Sequence, residues 1–209
     1  AKTLRNNNSS RFGKLITVRF DASGVIVGGA IIDYLLEKSR VVFQMDGERN
    51  YHIFYQVIAG CQADHAMRDR LSIETVAAGS SSSYHYLNQS SVREIEGLSD
   101  EQEFDVVRRS MDTLAYAEAD EANTLAVVAA LLHVGNVRFA PHVEPSGEEG
   151  SCVENPDALA CACAMLAIDA AVLTRALTSK NIGNRSVIMV SYSAEQAAMT
   201  RDALVKAVY

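Results

Sequence analysis

The chain has 209 residues, 48% of them apolar, with 19 basic and 26 acidic side chains and a formal net charge of −7. That is enough apolar material to bury the core of one or two domains, and it excludes a disordered tail. No apolar run approaches the roughly 18 to 20 residues that cross a bilayer, and Ala1-Lys2-Thr3-Leu4-Arg5 has no hydrophobic signal core, so neither a direct membrane span nor secretion is expected. Cys61, Cys152, Cys161 and Cys163 are too few for a disulfide scaffold and lack zinc-site spacing, which points to a reduced, cytoplasmic compartment. There is no initiating Met, and both ends read as parts of structured segments, so a piece of a longer polypeptide is expected.

Charge is unevenly spread: residues 1–60 carry +3, residues 61–170 carry −13 and residues 171–209 carry +3. Lys2, Arg5, Arg11, Lys14 and Arg19 meet no acid within the first 19 residues, a local field suited to phosphate or another anion, with a solvated basic loop as the competing reading.

In chain order, residues 14–20 set Ile16, Val18 and Phe20 imperfectly against Lys14, Thr17 and Arg19. Asp21-Ala22-Ser23-Gly24 then turns the chain into Val25-Ile26-Val27, which predicts a β-hairpin or two adjacent strands. Asn50 is a candidate cap for a helix over residues 51–58 that stops at Gly60, a residue able to take the left-handed turn. Ser99 or Asp100 caps a segment in which Phe104, Val107, Met111 and Leu114 recur at helical spacing. Residues 123–134 form a third, strongly apolar helix ended by Gly135, with burial expected on most sides. Residues 141–155, with Pro141, Pro145, Gly147 and Gly150 among Glu144, Glu148 and Glu149, read as an exposed acidic loop. A helix opened by Pro156 runs to Ile168 and a short one follows over residues 169–177. The turn Ile182-Gly183-Asn184 leads into the β-favouring Arg185-Ser186-Val187-Ile188-Met189-Val190. Ser193 caps a last helix with Ala197, Ala198, Leu204, Val205 and Val208 on its buried side. Ser80-Ser81-Ser82-Ser83 reads as a flexible loop, and no internal repeat is present. The sum is α/β, mostly helical with a few strands.

Composition and period reach no further than that, but one motif does. Asn6-Asn7-Asn8-Ser9-Ser10-Arg11-Phe12-Gly13-Lys14 gathers amides, hydroxyls, a guanidinium and a glycine just ahead of a strand, the groups that hold a phosphate and its metal. An ordinary Asn/Ser-rich turn is the competing reading of the same residues. His52, His65, His85, His133 and His142 form no cluster in sequence, and core or surface roles are expected for them.

Taken residue by residue, Ala1-Lys2-Thr3-Leu4-Arg5-Asn6-Asn7-Asn8-Ser9-Ser10-Arg11-Phe12-Gly13-Lys14 resembles the switch I segment of the myosin motor domain. Tyr34-Leu35-Leu36-Glu37-Lys38-Ser39-Arg40-Val41-Val42, followed by Glu48-Arg49-Asn50-Tyr51-His52-Ile53-Phe54-Tyr55-Gln56, resembles the strand, loop and helix after switch I in that family. Tyr86-Leu87-Asn88-Gln89-Ser90, Leu132-His133-Val134-Gly135-Asn136-Val137-Arg138-Phe139 and Arg201-Asp202-Ala203-Leu204-Val205-Lys206-Ala207-Val208-Tyr209 match further stations in the same order. Kinesins share the Ser-Ser-Arg core but continue with Ser-His, so Phe12-Gly13 separates this chain from them.

The resemblance implies part of a P-loop NTPase (myosin motor) fold, with a few strands contributed to the central motor sheet. Gly13-Lys14 is followed by Leu15 and lacks the upstream glycine of a G-x-x-x-x-G-K-[ST] P-loop, and the chain contains no Asp-x-x-Gly-Phe-Glu switch II. The stretch is therefore expected to be an incomplete motor domain, inactive as an ATPase by itself. Its expected parts are switch I and adjacent strands (1–30), a helical upper-cleft subdomain (31–177), an actin-contacting surface loop (178–194) and a helix leading toward switch II (195–209).

The family's roles carry over position by position. Ser10 corresponds to the hydroxyl that ligates Mg²⁺, and Asn6 to the amide aimed at the β/γ-phosphate bridge, with Asn8 a weaker polar contact. Ser9 would orient the attacking water by its backbone carbonyl or hydroxyl, and Arg11 would pair with the switch II Glu to close the site. Lys14 is expected to face outward. Lys180, Arg185, Val187 and Ile188 fall on the actin-contacting loop, where basic residues suit actin's acidic face. Ser186, sixteen residues before Asp202, stands where myosins carry Thr, Glu, Asp or Ser, and resembles the class I type switched on by a heavy-chain kinase.

The implied cofactors are ATP and Mg²⁺, the partner is an actin filament, and the location is cytoplasmic on the cytoskeleton. Light chains or calmodulin would engage only segments outside this stretch, and no nucleic-acid partner is implied. The expected function is an actin-based motor that binds and hydrolyses ATP when complete, against a non-catalytic myosin-like actin-interaction module. Intact Asn6, Ser9, Ser10 and Arg11 favour the first.

Overall fold

A computed structural model describes residues 1–73, 83–143, 147, 149–183 and 187–209. The serine tract at 80–82, and Asn184, Arg185 and Ser186, lie outside the described residues. The first elements are β1 (Gly13–Phe20) and β2 (Ile26–Tyr34), the expected antiparallel hairpin. Its turn is tied by the Asp21 carboxylate, which accepts from the N–H groups of Ser23 and Val25 and from the Ser23 hydroxyl, while Gly24 takes the left-handed position at φ +84°. Leu15 pairs with Ile32 and Ile16 with Ile31, so successive pairs place apolar residues on both faces of the ribbon. All four are exposed within this chain. Apolar character on both faces is the pattern of strands that belong inside a larger, doubly covered sheet, and it explains the imperfect alternation in sequence.

A 3-10 turn at Lys38–Val41 leads to α1 (His52–Ala63), α2 (His65–Leu71), α3 (Asp100–Thr113) and α4 (Glu118–Asn136). Two expectations for α1 are corrected. Tyr51 is its N-cap residue, whereas Asn50 turns its amide to the carbonyls of Val41 (2.8 Å) and Tyr86 (3.0 Å), two buried acceptors that outcompete a capping role. Gly60 lies inside the helix, which runs on to Ala63, because the Phe104 ring of α3 occupies the space a Cβ would need. Ser99 caps α3 as expected by accepting from the Gln102 N–H, but within α3 only Phe104 is buried, and Leu114, just past its end, is 72% exposed.

Helix α4 starts at Glu118 instead of residue 123, its acidic first turn suiting the positive end of the helix dipole, and Gly135 is within it, packed against Tyr86. Its burial is concentrated in the second half, from Ala129 to Gly135. His133 there meets the Leu71 carbonyl at 2.9 Å.

The expected acidic loop at 141–155 is corrected at its two sides, which pair as the hairpin β3 (Phe139–Val143) and β4 (Glu149–Val153), while residues 144–146 and 148 lie outside the described residues. Phe139 and Val153 pack on the core, and the open end is closed by Glu154 N–H to Arg138 O and Arg138 N–H to Asn155 Oδ1. Helices α5 (Pro156–Leu166) and α6 (Ala170–Thr178) lead to a short hairpin, β5 (Ser179–Asn181) with β6 (Met189–Ser191). The last helix, α7 (Ala194–Val208), opens on a reciprocal pair of bonds between Ser193 and Gln196. Its buried face differs from expectation. Arg201 is buried, donating to the Val137 carbonyl at 2.8 Å, and Val208 is 40% exposed. The four cysteines are free thiols, and among the described residues no single helix is long and apolar enough to cross a membrane.

The Gly60 contact yields a stability prediction. Alanine gains about 1 kcal/mol of helix propensity over glycine, but forcing a methyl group into the Phe104 ring costs about 1–3 kcal/mol, so Gly60→Ala is expected to lower the thermal midpoint. Circular-dichroism melting checks this, and an unchanged or raised midpoint would contradict the packing argument.

Candidate functional site

Residues 1–11 form a loop closed on itself. Ala1 N donates to the Ser9 carbonyl (2.9 Å), and the Ser9 N–H returns a bond to the Ala1 carbonyl (2.8 Å). Inside that ring, Thr3 N–H donates to Asn6 O (2.8 Å) and Asn6 N–H to Thr3 O (3.3 Å). The Asn6 carboxamide oxygen accepts from the Asn8 N–H at 2.9 Å, which fixes the side chain through its acceptor and leaves its NH₂ unused. Among the described residues neither that NH₂ nor the hydroxyls of Ser9 and Ser10 has a hydrogen-bond partner. Asn6, Asn8, Ser10 and Lys14 are exposed and Ser9 is half-buried. Thr3, Leu4, Arg5, Arg11 and Glu48 line a shallow cleft of about 220 Å³ beside the loop.

Arg11 is tied to residues the sequence did not single out as functional. Its Nε donates to Glu37 Oε2 at 2.5 Å, and the Glu37 N–H donates to the Arg11 carbonyl at 2.9 Å. The same Oε2 accepts from Arg40 Nε at 2.7 Å, and Arg40 reaches on to Glu48 (2.9 Å) and the Arg49 carbonyl (3.1 Å). The hydrogen bond from Arg11, opposed by burial and helped by Arg40, holds the Glu37 carboxyl down to about 2. Behind this chain Arg49 is fully buried, with Nη2 2.6 Å from Asp100 Oδ2 and its guanidinium 3.7 Å above the Tyr55 ring. The Arg49 N–H donates to the Lys2 carbonyl at 3.0 Å, which pins the loop to the helical body. The sequence signal for this network was the Glu37/Arg40 spacing of three within a turn and the charged Glu48-Arg49 pair ahead of α1.

The second predicted cluster lies at the tip of the β5–β6 hairpin. Asn181 Oδ1 accepts from the N–H groups of Gly183 and Ile188, both at 3.0 Å, and Ile182 N–H donates to Ile188 O at 2.9 Å. Lys180 is exposed, its Nζ 5.9 Å from the Tyr192 ring, and Val187 and Ile188 are 77% and 50% exposed. The structure thus gathers Asn6, Asn8, Ser9, Ser10 and Arg11 into one loop, and sets Lys180, Val187 and Ile188 on a separate hairpin. Arg185 and Ser186 fall outside the described residues.

A switch-like loop ahead of a ribbon with two apolar faces, backed by a helical body, fits one stretch of an α/β P-loop NTPase domain. The sequence model of the myosin head (motor domain) family matches residues 1–209, and the chain belongs to that family. It is 43% identical over 218 residues to the Myosin IB heavy chain of Dictyostelium discoideum, covering all of this chain and 19% of that protein. It is 41% identical over 210 residues to the unconventional myosin-Ic of Gallus gallus, again with the whole chain and 19% of the relative covered. To the Myosin-I heavy chain of Dictyostelium discoideum it is 40% identical over 210 residues, 9% of that protein. The chain therefore spans about a fifth or less of the length of these curated relatives, and the class I resemblance read from the sequence is matched by them.

His52, the first residue of α1, gives a pH prediction. Burial pushes its imidazole down to about 4 from the ordinary 6.5, with Arg49 adding to the effect and the Asn7 backbone opposing it. The unfolded chain then binds a proton in the range from 6.5 down to about 4 that the folded chain refuses, so stability falls with pH across that window and levels off below it. Urea midpoints measured at about pH 7 and about pH 5 should differ less in His52→Gln than in the parent, and equal differences would contradict the assignment.

Proposed function

We propose that this chain supplies the switch I loop and part of the actin-contacting surface of a class I-like, actin-based motor that binds and hydrolyses ATP with Mg²⁺. The observation that supports it most is the loop itself. A side-chain bond inside the loop consumes the Asn6 acceptor while its donor, and the hydroxyls of Ser9 and Ser10, stay uncommitted. That donor set suits a metal-bound phosphate. Ser10 offers the neutral hydroxyl oxygen that a hard cation takes, and Asn6 offers N–H to a phosphate bridge. Bound Mg²⁺ would supply positive charge against the phosphate oxygens. Ser9 would orient a water by its hydroxyl or by the remaining lone pair of its carbonyl, which also accepts from Ala1, and the Asn8 side chain adds a further polar contact.

Arg11 closes the loop against a carboxylate from elsewhere in the motor, so that opening and closing of switch I is coupled to the actin cleft. The 209 residues contain no G-x-x-x-x-G-K-[ST] loop, so turnover is proposed for the motor as a whole, on the cytoskeleton. No observation favours the non-catalytic reading. In a motor carrying this stretch, Arg11→Ala should cut the phosphate burst by about 100-fold while the ATP-binding rate stays within about threefold, because the closing contact acts after binding. Rapid-quench assays beside fluorescent-nucleotide binding separate the two, and a normal burst in the mutant would sink this role for Arg11.

For actin, the apolar tip of Val187 and Ile188 beside Lys180 has the form of an anchor with a basic rim. Serine at both apolar positions should weaken filament binding about tenfold or more, whereas Lys180→Ala should mainly reduce the association rate and its salt dependence. Co-sedimentation and stopped-flow binding would read these effects, and unaltered affinity in the double variant would remove the hairpin from the interface.

A further inference from the structure

We infer that Glu37 is the positioning residue for Arg11: it grips the guanidinium through Nε and leaves the Nη1/Nη2 end open for a second carboxylate. This rests on the reading of Arg11 given above. Arginine presents two forks to a carboxylate, one along its side through Nε and one at its end through the two Nη groups. Here the side is used, with Nε bonded to Glu37 Oε2, and among the described residues neither Nη group of Arg11 has a hydrogen bond. The residue borders the cleft beside the loop, and its side chain is 31% exposed.

The grip is made rigid from the buried side. Arg40, only 5% exposed, holds the same Oε2 and is itself held by Glu48 and the Arg49 carbonyl. The backbone bond from Glu37 to Arg11 ties the two residues a second time, and the Tyr51 hydroxyl donates to the Glu37 carbonyl at 3.0 Å. Arg11 is the outermost member of a row, Arg11–Glu37–Arg40–Glu48, whose formal charges cancel. Arg5 lines the same cleft and supplies the surplus positive charge that an incoming carboxylate would meet. A guanidinium already fixed on one fork loses less conformational freedom when the other fork is filled, which makes closure faster without altering what binds nucleotide.

The test compares Arg11→Ala, Glu37→Gln, Glu37→Asp and the Arg11→Ala/Glu37→Gln pair in a motor carrying this stretch. Glu37→Gln is expected to slow the phosphate burst about tenfold at an unchanged ATP-binding rate, to add nothing in the Arg11→Ala background, and to be partly rescued by the charge-keeping Glu37→Asp. Its thermal midpoint should stay within a few degrees, because Arg40 retains Glu48. A burst equal to the parent in Glu37→Gln, the same fold-loss in both backgrounds, or a collapsed midpoint would each overturn the inference while leaving Arg11's own role intact. A normal burst in Arg11→Ala would instead overturn that role, and this inference with it.

Discussion

The Arg49 side chain has no exposed surface, and four parts of the chain meet at this residue. Asp100, at the start of α3, faces its guanidinium, Tyr55 of α1 lies under it, its carbonyl receives Arg40, and its N–H holds the Lys2 carbonyl. Leaving such a cation without its partner costs on the order of 3–5 kcal/mol, a large part of a typical domain's stability. Burial pushes the Asp100 carboxyl up, against the pull of the neighbouring cation. Arg49 therefore joins α1 and α3 through its guanidinium, and the loop over residues 1–11 and the 3-10 turn through its main chain.

From that centre the structure grades outward from buried to exposed ion pairs. Arg40–Glu48 is buried on both sides, Arg49–Asp100 sets a buried cation against a partly exposed carboxylate, and Arg11–Glu37 is the most open. Pairs of the last kind are screened by water and contribute little to stability, so the Arg11–Glu37 contact adds little to the fold.

A second knot closes the far end. The Tyr86 hydroxyl donates to Asp202 at 2.6 Å, Arg201 lies 5.6 Å from the Tyr86 ring, and Asn50 bonds the Tyr86 carbonyl. Tyr209 stacks on Tyr51 with ring centroids 5.0 Å apart, which brings the end of α7 against the start of α1. These contacts bring together motifs 100 residues and more apart in sequence.

The sequence by itself determined the β-hairpin and its Asp21 turn, the Ser99 and Ser193 caps, the α5–α6 pair and, through the Asn6–Lys14 motif, the family. All of these rest on local chemistry or on residue identity in a row. Only the tertiary structure decided that Asn50 bonds carbonyls instead of capping, that Gly60 and Gly135 admit aromatic rings instead of ending helices, and that residues 139–143 and 149–153 pair as strands. It also decided that Arg11 rests on Glu37, 26 residues away. In each case the local preference was real but weaker than a buried partner brought from a distance, because an unsatisfied polar group or an overlapped ring costs more than a cap or a turn contributes.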